Sequence, residues 1–184
     1  MSAPGAGSGI VGRVPRRIWF DRAFDLGLPP EAFPDLLERL RGTPARLEER
    51  LRGVAPAVLV ERCDGKWSIQ ENAGHLLDLE PLWAARLGEL LAGAAVLKAA
   101  DLQNAQTHAA DHNRRPLAPM LRDFRAARGD LVARLEAVPE EALVRAALHP
   151  RLQQPMNVTD LCFFVAEHDD HHLARMAEVL RPRP

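Results

Sequence analysis

Glu167-His168-Asp169-Asp170-His171-His172 lies near the end of this 184-residue chain, within an apolar run from Val158 to Leu180. His168 and His172 are four residues apart, so on an α-helix they project from one face, one turn from each other. At about 100° per residue, His172 and Asp169 fall on the apolar face of this helix and His168 at its edge. Histidines at this spacing on a solvated face are the alternative. Because buried polar side chains need partners, the pattern favours a site in which two imidazoles hold one metal ion.

The composition indicates an all-α protein, because Tyr is absent and Val and Ile are scarce beside Leu and Ala. Apolar residues recur at helical spacing in four segments, which we predict to be helices at about 31–53, 68–92, 116–137 and 157–180. Four amphipathic helices of this length predict an antiparallel four-helix bundle. We expect up-down-down-up or a similar topology, with a long connection between the second and third helices.

The chain divides into a Gly- and Ser-rich tail over residues 1–14, which we expect to be disordered, and one bundle domain over residues 15–184. The net charge of −1 argues against nucleic-acid and membrane-surface partners. An apolar run long enough for a transmembrane helix is lacking, as is a signal peptide. Two distant cysteines favour reduced thiols, although a disulfide is possible, and we therefore expect a cytoplasmic protein.

Local signals place the helix ends and the loops between the helices. Gly42-Thr43-Pro44 predicts a kink in the first helix; a Thr43 cap that opens a new helix is the alternative. Ser68 and Glu71 form a capping box for the second helix. Residues 149–155 read as a loop, after which Asn157 or Thr159 caps the last helix. The apolar segment 18–24 is expected to pack over one end of the bundle.

Two charged residues fall on apolar helix faces. Glu80 lies in the middle of the buried face of the second helix, where a lone carboxylate is unfavourable unless it is paired. Arg128 lies on the apolar face of the third helix and could pair with Glu80 or Asp169. The alternative is that Arg128 extends along the helix edge into solvent.

His75, on the core side of the second helix, is the best candidate for a third metal ligand. Three neutral imidazoles leave open positions on a metal, which is typical of catalytic sites, and both zinc and nickel suit such ligands. Carboxylates normally orient ligand imidazoles; the candidates are Asp78, Glu80, Asp169 and Asp170.

The polar connection over residues 93–115 contains a second pair of histidines four apart, His108 and His112. The segment lacks a strong apolar face, so we favour a solvated or lid element over a second metal site.

Trp67-Ser68-Ile69, the stretch from Gly74 to Glu80 and the distant His168-x-x-x-His172 together resemble the DinB/YfiT-like superfamily of metal-binding four-helix bundles, over about residues 33–181. The resemblance implies a divalent metal ion held by His75, His168 and His172, with His171 outside the ligand set. It also implies a homodimer and a small-molecule substrate. Characterised members transfer a low-molecular-weight thiol to an electrophile, and others are called metal-dependent hydrolases. A non-catalytic metal-binding or small-molecule-binding stress protein is the alternative.

Overall fold

The computed structural model describes residues 16–63 and 65–181, so the tail predicted for residues 1–14 lies outside the described residues. The elements are α1 (Phe33–Leu51), α2 (Pro56–Val60), α3 (Ile69–Leu91), α4 (Ala105–Ala109), α5 (Leu117–Glu136), β1 (Ala147–His149), β2 (Gln154–Met156) and α6 (Val158–Val179). The four long helices, α1, α3, α5 and α6, correspond to the four predicted ones. In the described part of the chain, no helix combines the length and the apolar character needed to cross a membrane.

Two apolar clusters show how the four long helices run. The first cluster joins the beginnings of α1 and α6 to the ends of α3 and α5, and includes Leu37, Leu161, Leu87 and Leu135. The second joins the opposite ends of the same helices, and includes Leu47, Met176, Ala73 and Phe124. Helices α1 and α6 therefore run in one direction and α3 and α5 in the other. Both α1 and α3 pack against α5 and α6, which confirms the predicted up-down-down-up bundle.

A buried ionic layer separates the two apolar clusters. The Arg128 guanidinium, 1% exposed, donates to Glu80 Oε1 at 2.6 Å and to both oxygens of Asp169. The Thr43 hydroxyl donates to Asp169 Oδ2 at 2.8 Å. Burial opposes the charge of Arg128, but the two carboxylates hold its pKa above the ordinary value. Arg128 is thus paired with both predicted carboxylates, and the alternative of a solvent-exposed Arg128 is wrong.

Helix α1 continues through Gly42-Thr43-Pro44, so the alternative of a new helix at Thr43 is wrong. Proline removes the backbone N–H that would bond the carbonyl four residues earlier, which is that of Leu40. Arg128 Nη1 lies 3.4 Å from this carbonyl oxygen and donates to it. The ionic layer thereby satisfies the backbone acceptor that Pro44 leaves free.

The predicted helix caps are present. Ser68 and Glu71 form the capping box of α3, and Asn157, rather than Thr159, caps α6 in a second box with Asp160. Each box satisfies two backbone N–H groups at the beginning of a helix that carries candidate metal ligands. The two cysteines do not form a disulfide.

The loop predicted for residues 149–155 is instead part of a small antiparallel hairpin of β1 and β2, in which Ala147 pairs with Met156. Leu148 also exchanges backbone hydrogen bonds with Ala95 and Leu97, so the hairpin holds the start of the 93–115 connection. Strands of three residues are too short to show a two-residue hydrophobic period, which explains why the sequence did not reveal them.

Only part of the apolar segment 18–24 packs on the bundle. Trp19 and Phe24 lie against Phe164 of α6, with ring centroids 5.3 and 4.9 Å apart, respectively. Ile18 and Phe20 are exposed. The predicted packing therefore holds for two of the four apolar side chains.

The 93–115 connection is only partly the solvated element that we expected. His108 is exposed, whereas His112 is fully buried and its Nε2 lies 2.8 Å from Asp78 Oδ2. The His112 ring fills the space next to Gly74, where a Cβ atom would overlap it. Within the described residues, neither histidine joins a cluster that could hold a metal ion. Because Gly74 has no side chain, the connection can pack against α3 through the His112 ring.

Gly74→Ala should lower the free energy of unfolding by about 1–3 kcal/mol, because the added methyl group overlaps the His112 ring. Urea unfolding followed by circular dichroism measures this change. Gly88→Ala, on the same helix but in ordinary contact with its neighbours, is the matched control. It should raise stability by up to about 1 kcal/mol through helix propensity. Equal effects of the two substitutions would contradict the docking role of Gly74.

The ionic layer predicts a pH dependence of stability. Burial raises the pKa of Glu80 to about 6, and the charge of Asp169 adds to this effect, although Arg128 opposes it. The native state therefore binds this proton more tightly than the unfolded state, and stability falls as pH rises from 4.5 to 6. Between pH 4 and 7 the wild type should lose about 2 kcal/mol more than Glu80→Gln. Parallel stability profiles of the two proteins would contradict this assignment.

Candidate metal centre

The structure brings together the three predicted ligands, although His75 on α3 precedes His168 and His172 on α6 by 93 and 97 residues. Each of His75, His168 and His172 offers a ring nitrogen, and these nitrogens lie within 4.8 Å of one another. All three side chains are buried, with at most 8% exposed. His171, on the flank of α6, is outside this group. Its ring nitrogens lie 2.8 and 2.9 Å from Arg16 Nη1.

A chain of hydrogen bonds orients His75. The Thr107 hydroxyl donates to Asp78 Oδ2 at 2.8 Å, so its oxygen accepts from His75 Nδ1–H at 3.0 Å. The hydrogen of the neutral imidazole is therefore on Nδ1, and the lone pair on Nε2 is free for a ligand. Asp78 thus acts on His75 through Thr107, as a carboxylate near a metal-ligating imidazole often does.

His172 is oriented by Asn72, one turn before His75 on α3. The Asn72 amide nitrogen donates to the carbonyl oxygens of Trp67 and Ser68. Its side-chain oxygen is therefore an acceptor, and it lies 2.8 Å from His172 Nδ1. This bond places the hydrogen of His172 on Nδ1 and leaves the Nε2 lone pair directed at the other two histidines.

His168 completes the cluster but lacks an orienting partner. Its Nε2 lies 3.2 Å from His172 Nε2, and its buried Nδ1 has no hydrogen-bond partner among the described residues. Since His172 Nε2 carries a lone pair, the contact fits a hydrogen bond from His168 Nε2–H, and a cation between the three rings would take the place of this hydrogen. Three neutral imidazoles suit a borderline divalent ion such as zinc or nickel, so the donor set fits the metal that the sequence predicts.

Burial keeps the three imidazoles neutral. It lowers the pKa of His75 to about 4 and the pKa values of His168 and His172 well below the ordinary range, and the neighbouring histidines add to the effect. Only neutral imidazole has a lone pair to offer a metal ion. The cluster is therefore in its ligating form at neutral pH.

The carboxylates that we expected to orient the imidazoles serve different roles. Glu80 and Asp169 bond to Arg128 in the ionic layer, so these three residues do not contact the histidines through hydrogen bonds. Asp170 pairs with Arg39 and Arg46 at the surface. Of the predicted set, Asp78 alone reaches a ligand histidine. The reason is that residues adjacent on a helix project in different directions, so Asp169 faces the core when His168 faces the pocket.

The histidines line a pocket of about 560 Å³. Its walls include Trp19, Trp67 and Trp83, all of which contact a histidine of the cluster, with ring centroids 4.8 to 5.6 Å apart. The pocket is thus apolar next to the histidines. One carboxylate, that of the exposed Asp101, is present among the described residues that line it.

The predictions from the sequence did not include three residues of the site: Asn72 and Arg86, which line the pocket, and Thr107, which bonds to His75. Thr107 lies on a short helix without periodicity, so no sequence signal pointed to it. Arg86 had a signal, because His75, Leu79, Leu82, Arg86 and Leu90 form one stripe along α3.

The fold and the histidine cluster define a four-helix bundle with a candidate metal centre. The sequence profile of the DinB superfamily matches residues 39–176, so the chain belongs to this superfamily. YfiT from Bacillus subtilis is a similar solved structure, with a TM-score of 0.74 and 19% sequence identity over 86% of this chain and 91% of that chain. YfiT is described as a probable metal-dependent hydrolase with an unusual four-helix bundle topology. Comparison with curated proteins gave no match.

Proposed function

We propose that this protein is a divalent-metal-dependent enzyme acting on a small molecule, with His75, His168 and His172 as the metal ligands. The observation that carries the proposal is the convergence of three buried imidazoles at one wall of a 560 Å³ pocket. A zinc or nickel ion held by three imidazoles would retain open positions and would lower the pKa of a bound water or thiol.

Transfer of a low-molecular-weight thiol to an electrophile is the reaction that we favour. Its sulfur forms a bond to the electrophilic carbon, the leaving group departs with its bonding electrons, and the thiol proton goes to solvent. Hydrolysis requires in addition a base near the attacking water. The exposed Asp101 is the one carboxylate among the described pocket residues. The lack of a buried carboxylate among the described pocket residues therefore supports thiol transfer.

Hydrolysis of a small substrate is the second candidate. The description of YfiT as a probable metal-dependent hydrolase favours it. In either reaction, this chain's own residues have the same tasks. Thr107 and Asn72 hold the imidazoles in the correct tautomer, and the three tryptophans restrict water around the reacting groups. The expected homodimer stays a prediction.

Elemental analysis of the purified protein tests the metal site. The wild type should contain about one divalent ion per chain, and the double variant His168→Ala, His172→Ala should contain none. The double variant Arg39→Ala, Arg46→Ala removes side chains on the outer face of the bundle and is the control that should retain the metal. A wild-type protein without metal after supplementation with zinc and nickel would overturn the proposal.

Turnover then separates the two reactions. The metal-loaded protein is incubated with small thiols and an alkyl halide, and with small esters, while conjugates and acids are measured by mass spectrometry. Thiol conjugation that His75→Ala abolishes supports transfer, and ester cleavage without thiol supports hydrolysis. A loaded protein with neither activity would favour the non-catalytic binding alternative.

Thr107→Val should weaken zinc binding by about 10-fold, because His75 loses the partner that fixes its tautomer. Competition with a chelating dye measures the affinity. Thr107→Ser keeps the hydroxyl group and should bind zinc like the wild type. Equal affinities of the valine and serine variants would show that this hydrogen-bond chain does not support the site.

A further inference from the structure

Arg86 is a buried cation that lacks an acidic partner. Its side chain lines the metal pocket and is 2% exposed. Arg86 Nε donates to the Lys98 carbonyl oxygen at 3.0 Å. The charge of Glu89 acts on Arg86, but the described residues form no ion pair with it. Burial lowers its pKa to about 10. A buried charge is strongly unfavourable unless it is paired, so the free protein leaves this guanidinium short of an anion.

The neighbouring His149 does not supply the acceptor that Arg86 lacks. Its Nδ1 accepts a hydrogen bond from the Leu152 backbone N–H at 3.1 Å. The hydrogen of the neutral ring is therefore on Nε2, which lies 3.1 Å from Arg86 Nη1. The N–H groups of Arg86 Nη1 and His149 Nε2 are thus two buried donors that face each other.

A second guanidinium, that of Arg151, lies at the same end of the pocket. Its Nη2 is buried and has no hydrogen-bond partner in the described part of the chain. The group lies over the Phe20 and Phe164 rings at 5.6 and 5.9 Å, and burial lowers its pKa. The charge of Arg151 lowers the pKa of Arg86, because the two like charges repel each other. An anion between them would relieve this repulsion.

The cationic end and the histidine cluster are two ends of one pocket. Arg86 follows His75 by eleven residues, which places both on one face of α3 at about 16 Å along the axis. Trp83 lies between them, with its ring 5.6 Å from the His168 ring and 5.5 Å from the Arg86 guanidinium. A ligand that reached both ends would lie along an aromatic wall.

We propose that Arg86, Arg151 and the His149 N–H form a subsite for an oxyanion, a carboxylate or a phosphate, carried by a small molecule with an apolar body. Guanidinium groups suit such anions because their N–H donors match the oxygens in pairs. The assignment of the other end of the ligand to the histidine cluster rests on the proposed function. The subsite itself does not, because its residues do not overlap with the metal ligands.

Intrinsic fluorescence can report on binding, since all three tryptophans line the pocket and the chain contains no tyrosine. Metal-free protein is titrated with hexanoate, with hexyl phosphate and with uncharged hexanamide. We expect a saturable signal with at least one of the two anions, and the tighter of them identifies the class of oxyanion. Hexanamide should bind at least about 10-fold more weakly, because it has no negative charge to pair with the two guanidinium groups.

Arg86→Met should weaken binding of the anion by about 10-fold or more, and Arg151→Met should do the same. Arg175→Met is the matched control, because Arg175 also lines the pocket but already pairs with Glu178. It should change the affinity by less than about threefold. Urea unfolding should show Arg86→Met to be at least as stable as the wild type, since an unpaired buried charge is removed. If Arg86→Met does not fold, the anion affinity of Arg151→Met tests the subsite.

The His168→Ala, His172→Ala double variant separates the two proposals. Anion binding should persist in this protein, which by the first proposal lacks the metal. If metal is absent from the wild type but anions bind, the subsite stands and the proposed function fails. Binding of neither anion, equal binding of hexanamide, or unchanged affinity in both arginine variants would overturn the subsite.

Discussion

The bond between one arginine and two carboxylates holds the bundle in register. Arg128 reaches Glu80 of α3 and Asp169 of α6 from the middle of α5, and Asp169 also accepts from Thr43 of α1. Ionic contacts require closer alignment than apolar packing, because a shift of one helix by one turn would leave a buried charge unpaired. The side chains of the apolar clusters on either side can vary in shape. The layer between the clusters fixes the positions of the four helices along the bundle axis.

This register also positions the candidate metal centre. With Asp169 directed at Arg128, its neighbour His168 turns toward the pocket, and His172 follows one turn later on the same face. On α3, Glu80 faces the layer while His75 faces the pocket, more than one turn away. The ionic layer and the histidine cluster thus share helices α3 and α6 but use different faces. The layer does not bond to the three imidazoles, but it joins the helices that carry them.

The sequence predicted those features that follow from periodicity within one helix. The bundle, the cap at Ser68, a cap at Asn157 or Thr159 and the three histidines all have local signals of this kind. The β-hairpin, the Thr107 hydroxyl and the burial of His112 depend on contacts between distant segments, for which one sequence without an alignment carries no signal. Gly74 shows the difference, because its lack of a side chain matters only once His112 lies against α3. The pairing of Arg128 lay between these cases, since two charged residues on apolar faces predicted a bond without showing which carboxylates would form it.

Two buried arginines, Arg128 and Arg86, differ in their partners, and this difference bears on what the pocket binds. Arg128 and Arg86 are 1% and 2% exposed, and burial acts against the charge of both. Arg128 forms ion pairs with two carboxylates, and its pKa is raised. Arg86 forms no ion pair within the described residues, and burial lowers its pKa although the charge of Glu89 opposes the shift. If Arg86 served only stability, an apolar residue at this position would make the folded protein more stable. The unfavourable burial of Arg86 therefore indicates an interaction that the protein makes with something other than itself, in the same pocket that holds the histidine cluster.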